Sequence, residues 1–420
     1  MGPLAEIARD AGYQVYGSDV EASLMTQKLA EVGIDVHFGV QDGSFLQQTH
    51  EAHPIDWFVY TPALPNDHPE LVRARELGIA TAKRGEYLAH FVKEKNLQLI
   101  GVSGTHGKTT TTGMMVWAMQ QLGVPVSYSI GSTINFGPSG MYTPDSTYFV
   151  YECDEFDRNF LYFHPTVSVI SSIDYDHPDT YPTKDDYKAA FRQYIDQSDA
   201  TVMWRTDAEY VNASRQSVWA LEDRETIDVS LPGAHNRRNA SLVVKALERL
   251  NIGDNVSRIK AVASFPGTDR RFEKLADNLY SDYGHHPVEI AATLQMAREI
   301  ADHVVLVYQP HQNIRQHEIR AQYTTQFERA DTVYWLPTYL SREDPALEIL
   351  SPETLYANTT NKDHIHTAAF DDALWNNIQQ ARSQGALVLG MGAGAIDGWL
   401  RGRLQDSPTV HHIPQKNMDL

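Results

Sequence analysis

The 420-residue chain holds a single cysteine, Cys153, so no intramolecular disulfide framework staples it, and the composition suits a reducing cytoplasm. No apolar run approaches the length of a bilayer span, which excludes membrane insertion through a helix. The opening Met1-Gly2-Pro3-Leu4-Ala5-Glu6 has no basic stretch ahead of an apolar core, so no secretory leader is visible. Positive charge is scarce as well. With 35 Lys and Arg against 54 Asp and Glu the formal net charge is −19, which argues against nucleic acid as a partner, because neutralising phosphates needs basic surface. Small anionic substrates stay compatible, since a few local cations hold them. Internal repeats and low-complexity segments are absent.

What is present alternates. Apolar runs of strand length interleave with helical patterns, which argues for α/β units, largely parallel sheets and, at this length, three domains. The reading places a helix at Leu4–Asp10 stopped by Gly12, a strand at Gln14–Gly17, a strand at Trp57–Tyr60 ended by Thr61-Pro62-Ala63-Leu64-Pro65, and a helix at Leu71–Leu77. A polar stretch at Lys93–Asn96 marks the first boundary. Central strands follow at Leu99–Val102, Tyr148–Tyr151, Thr166–Ile170 and Thr201–Trp204, then a helix at Asn239–Leu250. Final strands fall at Val304–Val307, Thr332–Leu336 and Ala386–Leu389.

The richest segment is Gly104-Thr105-His106-Gly107-Lys108-Thr109-Thr110, directly after the apolar run Leu97–Val102. Strand, glycine-rich turn and helix start form the layout of a phosphate loop: backbone N–H groups converge on an anion, and the helix end adds partial positive charge. Lys108 reaches terminal phosphates and Thr109 offers a hydroxyl to Mg²⁺. The glycine usual six residues before the lysine is missing, with Val102 in its place. Two acidic clusters also end strands. Glu152-Cys153-Asp154-Glu155 is placed to hold Mg²⁺, and Asp174-Tyr175-Asp176-His177 supplies a histidine beside carboxylates. For each cluster alone a solvated loop is the plainer explanation. Leu231-Pro232-Gly233-Ala234-His235-Asn236-Arg237-Arg238-Asn239 puts two amides three apart at a helix start, suited to an adenine edge or to capping. Gly267-Thr268-Asp269-Arg270-Arg271-Phe272-Glu273 supplies guanidinium groups for phosphate, and Tyr280-Ser281-Asp282-Tyr283-Gly284-His285-His286-Pro287 follows.

Taken together these runs resemble the Mur ligases, ATP-dependent enzymes of peptidoglycan precursor synthesis, and the resemblance covers nearly the whole chain in order. It implies a Rossmann-like UDP-N-acetylmuramate-binding domain over 1–94, a phosphate-loop ATP-binding domain with a mainly parallel sheet over 95–265, and a Rossmann-like domain over 266–420 that closes on ATP and takes the amine. Ser18, Asp19, Thr61 and Pro62 are then expected at the UDP sugar. Gly104, Thr105, His106, Gly107, Lys108, Thr109, Thr110, Asn236, Asn239, Arg271 and Asp282 are expected at ATP. Thr109, Glu152 and His177 are the expected metal ligands, with Lys108, Glu152, His177, Arg271 and His285 at the reacting centre. His311 and Arg315 are expected to meet the carboxylate of the amine. The implied reaction runs through an acyl phosphate, releases ADP and needs neither nucleic acid nor membrane.

Ile134-Asn135-Phe136-Gly137, Phe156-Asp157 and Gln312 point, within the family, to the recycling branch, which attaches L-Ala-γ-D-Glu-meso-diaminopimelate; the alternative amine is L-alanine. The family also has a strand and a Gly-x-Gly turn ahead of the helix in which this sequence opens, and asparagine where Ser172 stands. A phosphate-loop NTPase without ligation, or a UDP-sugar sensor without turnover, are the competing classes.

Overall fold

The computed structural model describes residues 1–177, 180–341 and 343–406. Three α/β blocks follow one another along the chain. They fall into two compact units: Met1–Leu231 with His235–Asp269, and Pro232–Ala234 with Arg270 onward. Among the described residues no helix is long and apolar enough to cross a membrane.

The first block holds two separate parallel pairs. Strand β1 (Gly17–Asp19) pairs with β2 (Val36–Phe38), and β3 (Trp57–Tyr60) pairs with β4 (Ala80–Lys83). The expected strand at Gln14–Gly17 is corrected: Gly17 is where pairing begins, with Val36 as its partner, and the residues before it have no ladder to join. The helix Gly2–Asp10 is fixed against the central block instead. Its Glu6 and Asp10 carboxylates accept the Gly140 and Tyr142 N–H groups, and the Pro3 carbonyl lies so near Gly140 that a side chain there would collide.

The central block is a seven-stranded sheet. In chain order its strands are β5 (Gln98–Ser103), β6 (Val126–Ser129), β7 (Gly140–Met141), β8 (Tyr148–Glu152), β9 (Val167–Ile170), β10 (Ala200–Trp204) and β11 (Val218–Leu221). Their spatial order is β11-β10-β9-β5-β8-β6-β7, parallel throughout except for β7. Alternation along the strands builds two cores. Ile100, Val102, Val150, Val169 and Val202 enter one cluster, and Leu99, Phe149, Tyr151, Ile170 and Met203 the other. Burial on both faces is why these strands read as continuous apolar runs rather than as alternating ones.

The second unit carries a six-stranded sheet: β12 (Glu273–Ala276), β13 (Leu279–Asp282), β14 (Val304–Tyr308), β15 (Thr332–Trp335), β16 (Ile365–Thr367) and β17 (Leu387–Met391). The order is β12-β13-β17-β14-β15-β16, and only β12 runs antiparallel. Val304, Leu306 and Tyr308 face one core while Val305 and Val307 face the other.

Candidate active site

Strand β5 lies between β8 and β9, so its carboxyl end opens where a parallel sheet presents ligands. The turn after it is held in shape by the end of β9. Thr105 N–H donates to the Ser172 carbonyl, His106 N–H donates to Ser172 Oγ, and Ser171 Oγ donates to the His106 carbonyl. Gly104 has φ +131°, and a Cβ there would strike Ser171 and Ser172, so only glycine fits. Gly107 has φ +80° and leads into the helix Lys108–Gln121. Asn239, expected at adenine, packs against Gly107, and Asn236 lies in the first turn of the helix Ala234–Arg249, which begins five residues earlier than the sequence reading placed it.

Thr105 does not point its hydroxyl at an open cradle. Its Oγ1 donates to the Asp174 carbonyl, accepts the Asp174 N–H and sits 2.7 Å from the Tyr187 hydroxyl. Thr110 is half-buried on the helix, and the His106 ring lies 3.7 Å from Asp174. Thr109 Oγ1 donates to Glu152 Oε1 at 2.9 Å, and the other Glu152 oxygen accepts the Gly131 N–H at 2.9 Å.

The carboxylate that organises the centre is Glu155, to which the sequence reading gave no role. It is fully buried and accepts Lys108 Nζ at 2.8 and 3.1 Å, with His177 Nε2 3.7 Å away. Burial raises the Glu155 carboxyl to about 8 against the pull of Lys108. Burial also works against the Lys108 charge, but Glu155 and Asp154 outweigh it and hold the ammonium above its ordinary value. Lys108 also donates to the Gly104 carbonyl at 2.7 Å, folding back over its own loop. His177 therefore faces Glu155, with its ring 5.1 Å from that of Phe156. No group of three or more His, Cys, Asp and Glu poised for a metal occurs among the described residues. Nothing in the tetrapeptide's letters distinguished Glu155 from its neighbours; only its burial does. Cys153 is buried and its thiol is pushed well above the usual range, which leaves it unreactive.

In the first block Ser18 Oγ donates to Glu70 and accepts from Gln41, Asp19 accepts the Val20 N–H, and Thr61 Oγ1 accepts the Ala63 N–H with Pro62 half-buried beside it. Each sits at the carboxyl end of β1 or β3.

The second unit gathers its own cluster where β13 and β14 end. Asp282, expected at the adenosine, is buried, and its oxygens accept the Phe272 and Gly284 N–H groups at 2.8 and 2.7 Å, which shapes the turn. Burial raises it to about 6. Arg271 and Arg270 lie over the Tyr283 ring, 5.2 and 4.8 Å from its centroid. His285, expected at the reacting centre, and His311 and Arg315, expected at the carboxylate of the amine, come together: Arg315 Nη1 hydrogen-bonds His285 Nε2, and the two imidazoles stand 5.5 Å apart. Burial holds both rings below the ordinary histidine value, His285 at about 4.

Three family models match in succession: the Mur ligase family, catalytic domain, over 1–96; the Mur ligase middle domain over 102–218; and the Mur ligase, glutamate ligase domain, over 270–394. Curated relatives include a UDP-N-acetylmuramate–L-alanine ligase of Coxiella burnetii, 31% identical with 82% of each chain covered. Another from Novosphingobium aromaticivorans is 30% identical over 96% of this chain and 93% of that one. Among solved structures, a UDP-N-acetylmuramate–alanine ligase of Thermotoga maritima superposes with TM-score 0.76 at 23% identity, covering 96% of both chains. A murein peptide ligase of Psychrobacter arcticus does so with 0.64 at 23% identity over the same shares. The chain belongs to the Mur ligase family and is an ATP-dependent, ADP-forming acid–amino-acid ligase.

Proposed function

We propose that the protein joins the lactoyl carboxylate of UDP-N-acetylmuramate to L-alanine through an acyl phosphate. The observation that carries the choice of amine is Arg315, held on His285 beside His311. A free amino acid has a carboxylate one carbon from its nucleophilic nitrogen, matched to one guanidinium in a compact cluster. In the tripeptide that carbon carries an amide, and the first carboxylate, on the D-glutamyl residue, lies several bonds farther from the nucleophile. The names of the curated relatives favour the same amine. The recycled tripeptide is the second reading, favoured by Gln312, a neutral residue with φ +58° at the start of the helix Asn313–Ile319. Its other warrants weaken in three dimensions, because Phe156 packs on His177 and Asp157 pairs with Lys83 at 2.8 Å, contacts that need no amine.

For activation of the carboxylate, Lys108 and the N–H groups at the start of its helix would hold the terminal phosphates of ATP and offset the repulsion between two anions. Thr109 Oγ1 and Glu152 Oε1, 2.9 Å apart beside that helix start, are hard oxygen donors that fit Mg²⁺. Glu155 with His177 would hold a second ion. Bound there, Mg²⁺ would supply neutralisation of phosphate charge. Arg271 would add a cation in the second unit. ADP release should require UDP-N-acetylmuramate, and ¹⁸O from its lactoyl carboxylate should appear in released phosphate. Sugar-independent ADP release, or AMP as product, would overturn this mechanism.

A further inference from the structure

Arg270 has φ +57° and Phe272 φ +53°, so two bulky residues adopt left-handed backbone, one on each side of Arg271. Such backbone is costly and persists only where the surroundings fix it. The Arg270 N–H donates to Glu273 Oε2 at 2.8 Å, and the Arg270 carbonyl accepts the Tyr283 N–H at 2.7 Å. The Phe272 N–H donates to Asp282 Oδ2 at 2.8 Å, and the Phe272 ring lies on that of Tyr280, 4.7 Å between centroids. The two guanidinium groups end differently. Arg270 donates from Nη2 to the Gly392 carbonyl at 3.2 Å, with its Nε 3.7 Å from Asp397. Arg271 rests on the Tyr283 face and, among the described residues, makes no hydrogen bond or ion pair. One arginine fixes the turn, and the other is presented by it.

Both carboxylates beside Arg270 are gripped by Arg401, on the helix Ile396–Asp406. Its Nη2 donates to Glu273 Oε2 at 2.5 Å, and its Nε lies 3.2 and 3.1 Å from the two oxygens of Asp397. Asp397 also accepts Ser281 Oγ of β13 at 2.7 Å. Burial works against the Arg401 charge, but Glu273 and Asp397 outweigh it and hold the guanidinium above its ordinary value. A planar fork can meet two acids at once, which a lysine ammonium does less well. Without that fork the two acids would turn to Arg270, whose Nε already stands near Asp397, and draw the turn out of shape. We propose that Arg401 is a positioning residue for the reaction: by clamping Glu273 and Asp397 it keeps the Arg270–Phe272 turn in its left-handed form and so aims Arg271 at phosphate. This rests on the role given to Arg271 above.

A double-mutant cycle on the full chain separates aiming from bracing. Arg271→Gln alone should lower kcat roughly a hundredfold. Arg401→Gln alone should lower kcat about tenfold with KM for UDP-N-acetylmuramate unchanged, and Arg401→Lys should recover part of that loss. In the Arg271→Gln background, Arg401→Gln should cost nothing further, because no guanidinium is left to aim. Losses that multiply, or full kcat in a folded Arg401→Gln protein, would overturn the proposal and leave the role of Arg271 standing. Full activity in Arg271→Gln would remove that role and the proposal with it. If Arg401→Gln does not fold, the same cycle is closed with Arg401→Lys, where a loss of about threefold should likewise vanish beside Arg271→Gln. A threefold loss that persists there would equally overturn the proposal.

Discussion

Lys108 and Arg315 each hold their charge on a partner from their own unit, and the two partners differ in kind. Lys108 sits on Glu155, a carboxyl group with no exposure, and on the carbonyl of its own loop. Arg315 sits on a neutral imidazole nitrogen. Lys108 thus shares its place with a buried acid and Arg315 meets a ring nitrogen, so the two sites suit different ligands. A ligand with several negative charges, assisted by the helix start, suits Lys108, and a single carboxylate suits Arg315. The contrast matches a polyphosphate in one place and a small zwitterion in the other.

The largest break in that comparison is Lys108→Ala. Turnover should fall by roughly a thousandfold or more, about 4 kcal/mol of barrier, while UDP-sugar binding measured by calorimetry persists. Loss of sugar binding by a folded variant would place the sugar site elsewhere than β1 and β3.

The neutral partner can be examined through pH. His285 holds a proton less readily folded than unfolded, its value lying near 4 rather than 6.5. Its contribution to stability is therefore complete above 6.5 and is lost as pH falls from there toward 4, by about 3 kcal/mol in total. Hydrogen exchange in β13 and β17 should show that acid loss in wild type and a shallower one in His285→Gln.

The acidic partner is next. Glu155→Gln should cost roughly a hundredfold in kcat, about 2.7 kcal/mol, and Glu152→Gln only about tenfold, because Glu155 faces both Lys108 and His177. The reverse order, measured across Mg²⁺ concentrations, would make Glu152 the main ligand.

The smallest effect belongs to the joint between the first helix and β7. Burial raises the Glu6 carboxyl, so its ionisation works against folding as pH rises. Glu6→Gln keeps an acceptor for Gly140 N–H and should shift stability by less than about 1 kcal/mol, with a gain that grows above the ordinary glutamate range. A loss that grows with pH would contradict this.

The legible parts of the fold were those where one residue type has one physical meaning. β5, β8, β9 and β10 are buried on both faces and announce themselves as apolar runs, and Gly104 and Gly107 sit where backbone geometry admits little else. The gathering of His285, His311 and Arg315 follows from topology: the first comes after β13 and the other two after β14, parallel strands that flank β17 and so end on one edge of the sheet. Less legible were choices decided by burial. Glu152 and Glu155 are the same letter three positions apart, yet one braces Gly131 and the other lies under Lys108. That Asp282 also organises its turn, accepting the Phe272 and Gly284 N–H groups, was not written in its letters. β1 was misplaced by three residues because a short edge pair is set by its partner, Val36–Phe38, rather than by its own pattern.

The assignment of the amine is tested most directly by a competition between L-alanine and L-Ala-γ-D-Glu-meso-diaminopimelate at equal concentration, with UDP-N-acetylmuramate and ATP saturating. With Arg315 matched to a carboxylate one carbon from the nucleophile, kcat/KM for L-alanine is expected to exceed that for the tripeptide by at least roughly a hundredfold, about 2.7 kcal/mol. Equal or better use of the tripeptide would contradict it and place the chain in the recycling branch.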